Sequence, residues 1–117
     1  EPYRINMNEI IKTASKEKVI LEINANPHRL DLDWRFCKAA KEEGCKFVIS
    51  ADAHRISGID DMQYGVNTAR KGWLTVNDII NTLTVKKLDD LLLEKGTSEG
   101  SFTKKVVVDN FFRYMIK

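Results

Sequence analysis

Two polar residues at the end of an apolar run could carry the chemistry of this chain. Asp52 and His54 follow the run 47–49, which has the composition of a buried strand. Residues two apart on an extended chain face the same side. A carboxylate oxygen and an imidazole nitrogen could then bind one metal ion, which makes Asp52 and His54 candidate metal ligands. The structural alternative is a carboxylate that caps the next helix beside a solvated histidine.

A second pair, Glu22 and Asn24, ends the preceding apolar run 19–23 with the same spacing. Ligands of α/β folds bind beyond the carboxyl ends of parallel strands, so this pair is expected near the first. Two interpretations stay open. The pair either supports the ligands and orients a substrate, or forms a buried structural network that ties the strand end to the loop at Arg29.

Two arginines follow these strand ends. Arg29 could contact a phosphate through its planar fork, or form an ion pair with a nearby carboxylate. The candidate carboxylates are Asp31, Asp33 and Glu22. Arg55, directly after His54, is placed to meet a nucleic-acid phosphate, although a loop arginine most often faces solvent.

Several other residues are assigned structural or solvated roles. His28 follows Pro27 in a loop and is expected to be solvated. The aromatic residues Trp34, Tyr64 and Trp73 are predicted to belong to the core rather than to stack on bases.

The predicted elements alternate between helix and strand. Helices are expected over about 6–16 (N-cap Asn6), 34–43 (N-cap Asp31 or Asp33, closed by Gly44), 60–71, 76–81 and 84–95, and strands over 19–24 and 46–50. Thr75 and Asp78 resemble a capping box. This order predicts an α/β fold, either a βα barrel or an open parallel sheet.

Size and composition predict one small globular domain. The chain has 117 residues, 43% of them hydrophobic, and its net charge of +2 argues neither for nor against nucleic acid. Cys37 and Cys45 lack metal-type spacing and are predicted to be buried or semi-buried free thiols of a reducing cytoplasm. No apolar run has the length of a membrane span.

Three sequence blocks closely resemble a known family. They cover residues 21–32 (LEINANPHRLDL), 50–54 (SADAH) and 62–74, in the family's order and spacing. Over roughly residues 1–92 the chain is similar to the end of the PHP (polymerase and histidinol phosphatase) domain of bacterial and archaeal family X DNA polymerases. The first block is specific to this polymerase branch.

The resemblance implies a distorted βα barrel with two or three manganese or zinc ions, and 3′–5′ exonuclease activity in DNA repair. Asp52 and His54 match the family's last metal-binding motif, whereas the earlier histidine motifs and the polymerase core have no counterpart here. Residues 1–95 are therefore expected to be the C-terminal part of a PHP domain. Residues 96–102 are then a linker, and 103–117 an apolar tail of unknown role.

A fragment of this kind is expected to be inactive alone, because two protein ligands rarely hold a metal tightly. Its expected partners are DNA 3′ ends, the missing N-terminal part of the domain and, because two strands leave open sheet edges, a second copy of the chain. The alternatives are a non-catalytic interaction or dimerisation module, and a PHP phosphatase of small phosphomonoesters. The first sequence block argues against the phosphatase.

Overall fold

The two predicted strands pair in parallel. A computed structural model describes residues 5–95, in which β1 (Leu21–Asn24) and β2 (Phe47–Ser50) form a two-stranded sheet. The register places Leu21 opposite Phe47 and Asn24 opposite Ser50, so both strands end at the same edge. The expected small α/β fold is confirmed at this level.

Four α-helices flank the sheet and its loops. They are α1 (Met7–Lys16), α2 (Trp34–Glu42), α3 (Met62–Lys71) and α4 (Val85–Lys95), with 3₁₀ segments at Ile56–Asp61 and Ile80–Thr82. The predicted N-caps are confirmed: Asn6 accepts a hydrogen bond from the Glu9 N–H at 3.3 Å, and Asp33 accepts from the Arg35 N–H at 2.9 Å.

The core lies between the sheet and the helices. Ile23 and Phe47 supply the strand side, and Cys37 and Ala40 the α2 side, each with no measurable exposure. Cys37 and Cys45 are buried free thiols, as predicted. Burial raises the pKa of the Cys37 thiol to about 12, so this thiol is a packing group and not a nucleophile.

Helix α3 lies unusually close to the sheet because of Gly65. A Cβ atom on Gly65 would come within 2.5 Å of Ile49 Cγ2 and 2.7 Å of Ala25 Cβ. Only a residue without a side chain fits there without a shift of the strand or the helix. This contact holds α3 against the strands that carry the predicted ligands.

Two sequence expectations about elements are wrong. Residues 76–81 do not form a helix, because turns lead into a single parallel bridge between Phe47 and Ile79 and then into the 3₁₀ segment at Ile80–Thr82. The helix predicted at 60–71 is α-helical only from Met62, after the 3₁₀ segment Ile56–Asp61.

The prediction that the aromatic residues belong to the core fails for Tyr64 and Trp73. Trp73 is 69% exposed and Tyr64 is 40% exposed, while Trp34 is half-buried. The face of α3 that meets the sheet consists of Gly65 and Ala69, so Tyr64 lies to the outer side. Trp73 takes a left-handed conformation (φ 65°) at the helix end, and the next residue, Leu74, turns inward in its place.

Two strands do not by themselves form a barrel, so the PHP barrel stays a prediction. The linker at 96–102 and the apolar tail at 103–117 lie outside the described residues. No helix within residues 5–95 combines the length and apolar character needed to cross a bilayer.

Candidate functional site

The carboxylate of Asp52 joins the ends of the two strands. Its Oδ2 lies 3.2 Å from Nδ2 of Asn24, which donates to it, and 3.9 Å from Nε of Arg29. Asn24 is 1% exposed, whereas the side chains of Arg29 and Asp52 keep 26% and 16% of their surface. One residue of each predicted pair, Asn24 and Asp52, is therefore brought together, with an arginine beside them that solvent can reach.

We call the group of Asn24, Arg29 and Asp52 the Asp52 cluster. Glu22 contacts a different residue, on β2. The hydroxyl of Ser50, on the neighbouring strand, donates to its carboxylate. Of the two interpretations of the 22/24 pair, this contact favours the structural network for Glu22. Ser50 was not identified from the sequence, because its position opposite Asn24 depends on the register of the sheet.

The loop after β1 positions Arg29. The Asn26 N–H donates to Oδ1 of Asn24 at 2.9 Å, and Oδ1 of Asn26 accepts from the His28 N–H at 3.0 Å. Such an Asn-centred turn folds the chain back, and the Leu30 N–H donates to the Asn26 carbonyl at 2.9 Å. Asn26 was also missed, although an asparagine directly before a proline is a usable signal for this turn.

Arg29 meets a carboxylate that was not among its predicted partners. The ion pair is with Asp52, across the two strand ends, and not with Asp33, which binds Arg35 through two hydrogen bonds. The Arg35 contact holds the pKa of Asp33 below its ordinary value. Sequence proximity suggested the nearer carboxylates, whereas the parallel pairing brings Asp52 to the loop.

His54 folds back onto the backbone of the other predicted ligand. Its Nδ1 lies 2.7 Å from the Asp52 carbonyl oxygen. A carbonyl only accepts, so Nδ1 donates to it and Nε2 is left for another partner. The ring is exposed. A fixed Nδ1–H contact of this kind is typical of metal-binding histidines.

The prediction that Asp52 and His54 lie two apart on an extended chain is wrong. The strand ends at Ser50, and Asp52 has a left-handed φ of 50°, so strand alternation does not apply to these residues. A turn of the chain brings the His54 ring to the backbone carbonyl of Asp52 instead. Arg55 and His28 are exposed beside this turn and the Asn26 loop, and the prediction of a solvated His28 is confirmed.

A further asparagine stabilises the outer edge of β2. Asn81 accepts from the Ile49 N–H at 2.8 Å and donates to the Ile49 carbonyl at 2.9 Å. Its amide thus replaces part of a neighbouring strand. This holds the strand that leads into Asp52.

Comparison with known proteins finds a relative among the DNA polymerases. No protein-family model matches the chain. Over 90 residues, which are 77% of the chain, it is 41% identical to a Bacillus subtilis (strain 168) protein named DNA polymerase/3′-5′ exonuclease PolX. The resemblance to the family X DNA polymerases is confirmed. The matched region is 16% of the length of PolX, so the activities in that name belong to a much longer protein.

The similarity to PolX leaves the metal prediction open. Within residues 5–95, no three His, Cys, Asp or Glu side chains lie close enough to hold a metal ion together. Asp52 and His54 have donors of suitable chemistry, but a metal site here would need a third donor from outside residues 5–95. The fit to a metal is therefore incomplete in this part of the chain.

Proposed function

We propose that this chain is part of a PHP domain of a family X DNA polymerase. Its two strand ends then contribute one side of a metal-dependent phosphodiesterase site that removes nucleotides from DNA 3′ ends. The observation that carries the proposal is the Asp52 carboxylate, which Asn24 and Arg29 both contact at the carboxyl end of parallel strands. The name of the PolX relative supports the choice of reaction.

Each residue has a role that its contacts support. Asn24 is buried and holds the Asp52 carboxylate in one orientation. Arg29 balances part of the charge of Asp52 and keeps an exposed face, which suits a phosphodiester oxygen. His54 presents Nε2 outward because its Nδ1–H is bound to backbone. Arg55 is an exposed second cation for the DNA backbone.

Manganese or zinc, when bound, would lower the pKa of a water molecule and neutralise charge on the phosphate. Asp52 and His54 would be two of the ligands, and residues of the longer protein would complete the set. This incompleteness is the reason to expect that the isolated chain is inactive. A cytoplasmic location also remains a prediction.

The test is the removal of 3′ nucleotides from labelled DNA by the full-length parent enzyme with manganese. Asp52→Asn keeps a hydrogen-bond acceptor for Asn24 but removes the charge, and we expect a loss of at least about a hundredfold in rate. Asp89→Asn changes an exposed carboxylate on α4 and is the matched control. Polymerase activity in the same preparation shows that the variant is folded. Nuclease activity that survives Asp52→Asn contradicts the proposal.

The alternative is a non-catalytic interaction module, favoured by the missing third donor within residues 5–95. Titration of this chain with manganese by calorimetry separates the two. Micromolar binding that Asp52→Asn abolishes favours a site completed by self-association. The absence of heat in this chain, together with full nuclease activity of the parent after Asp52→Asn, favours the module.

A further inference from the structure

An exposed surface on the α2 side of the molecule combines tryptophans with cations. Lys71 Nζ lies 5.1 Å from the centre of the Trp34 ring, and Lys38 Nζ lies 5.9 Å from that of Trp73. Arg35 is 5.7 Å from the Trp34 ring. We call these five residues the basic–aromatic patch.

The patch is held together by a close contact between two helices. A Cβ on Gly72, at the end of α3, would lie 2.7 Å from Cys37 Cβ and 2.9 Å from the Trp34 carbonyl oxygen. The end of α3 therefore rests directly on the start of α2. Lys41 also donates to the Trp73 carbonyl at 2.8 Å, which fixes the backbone that carries this ring.

The fold uses a left-handed residue at position 73, but it does not explain why that residue is a tryptophan. The Trp73 N–H donates to the Arg70 carbonyl, and the Leu74 N–H to the Ala69 carbonyl, both at 3.0 Å, which closes α3 with a left-handed residue. Gly44 takes the equivalent position after α2, with φ 84°. A large aromatic residue is disfavoured there, yet its ring is 69% exposed and contributes little to the core.

The charges around the rings are unevenly matched. Asp33 forms a salt bridge with Arg35, and Asp78 forms one with Lys41 at 3.0 Å. Among the described residues, no carboxylate forms a salt bridge with Lys38 or Lys71, and both are exposed. Two exposed ammonium groups beside two tryptophans attract an anionic partner that also has flat rings.

We propose that the basic–aromatic patch binds a single-stranded nucleic acid. Bases stack on the exposed face of Trp73 and on the accessible part of Trp34, while Lys38 and Lys71 contact phosphates. The loop that carries Arg29 leads directly into α2. A nucleic-acid strand bound to the patch would therefore lie next to the segment that connects the patch to the Asp52 site. Stacking accepts any base, and the binding is therefore independent of sequence.

The chain offers a direct reporter of this binding. Its two tryptophans are both in the patch, so tryptophan fluorescence observes no other region. We expect quenching on titration of the chain with oligothymidylate in EDTA, where no metal-dependent hydrolysis takes place. Unchanged fluorescence at low salt overturns the proposal. Quenching by polyglutamate at equal charge concentration also overturns it, and assigns the patch to an acidic protein instead.

Variants then test the two parts of the patch by the anisotropy of a labelled oligothymidylate. Trp73→Gly suits the left-handed backbone, and we expect about tenfold weaker binding from the loss of one stacked base. Lys38→Ala and Lys71→Ala should each lower the slope of log K against log salt by about 0.7. Lys86→Ala, an exposed lysine on α4, is the control and should leave the slope unchanged.

Wild-type affinity in Trp73→Gly, with an intact circular dichroism spectrum, contradicts the proposal. The outcome is independent of the nuclease proposal, because binding is measured without metal and at residues outside the Asp52 cluster. If the parent enzyme loses nuclease activity in Asp52→Asn but this chain fails to bind oligothymidylate, only the proposal for the patch is contradicted.

Discussion

Nδ2 of Asn24 lies 3.2 Å from Oδ2 of Asp52, so a fully buried amide at the end of β1 orients the carboxylate that follows β2. The same Asn24 accepts the Asn26 N–H at 2.9 Å, and its backbone N–H donates to the Asp31 carbonyl. One side chain thus connects both strand ends and the loop of Arg29.

Asn24→Ala should lower the free energy of unfolding by about 2 kcal/mol, because it removes a donor and an acceptor and leaves buried groups without them. Urea denaturation followed by circular dichroism measures the change. Asn77→Ala, at an exposed position, is the control and should change stability by less than about 0.5 kcal/mol. Equal stability of the two variants would show that the amide network is not needed for the fold.

Gly65→Ala should destabilise the chain even though alanine favours helix more than glycine does. The new methyl group would meet Ile49 Cγ2 at 2.5 Å and force α3 from the sheet, at a cost of about 2 kcal/mol. Asn67→Ala on the exposed side of the same helix tests helix propensity alone and should be neutral or slightly stabilising. A stabilised Gly65→Ala variant would contradict the close contact.

Trp73→Gly should raise the free energy of unfolding by about 1 kcal/mol, because glycine accepts a φ of 65° without the clash of a Cβ atom. Trp73→Ala removes the same ring but keeps the clash, so it should not be stabilised. Thermal unfolding of both variants separates backbone conformation from ring contacts. If alanine stabilises the chain as much as glycine, the effect comes from the ring.

Asp78 should make stability depend on pH in the acid range. Burial alone would raise the pKa of Asp78, but hydrogen bonds from the Thr75 N–H and Lys41 outweigh it and hold the pKa below the ordinary 3.8. A lowered folded-state pKa stabilises the protein above pH 3.8, and this contribution is lost as the pH falls through the folded-state value.

Asp78→Asn should therefore lower stability by about 1 kcal/mol at neutral pH, where the charged hydrogen bonds are lost, and by much less in acid. Urea titrations at neutral pH and well below pH 3.8 measure the difference. Asp89→Asn, with an exposed side chain, should have the same stability as the unsubstituted chain at both pH values. If the difference in stability between Asp78→Asn and the unsubstituted chain is the same at both pH values, this carboxylate is excluded as the source of the pH dependence.

The local elements were predictable from residue types. Asn6 and Asp33 are strong N-caps, and Gly44 suits a left-handed helix end. The apolar runs around Ile23 and Phe47, between amphipathic helices, favour buried strands. Alternation of helix and strand favours parallel pairing, and the structure has it. The similarity to family X polymerases was carried by contiguous blocks and needed no structure.

Tertiary structure decided the contacts between distant parts of the chain. Arg29 pairs with Asp52 because β1 and β2 are parallel and in register, which brings together residues that are far apart in sequence. Trp73 is exposed because the end of α3 turns left-handed and leaves the buried position to Leu74. Hydrophobicity indicates that a residue can be buried, but backbone geometry and the space left by neighbours decide which residue is.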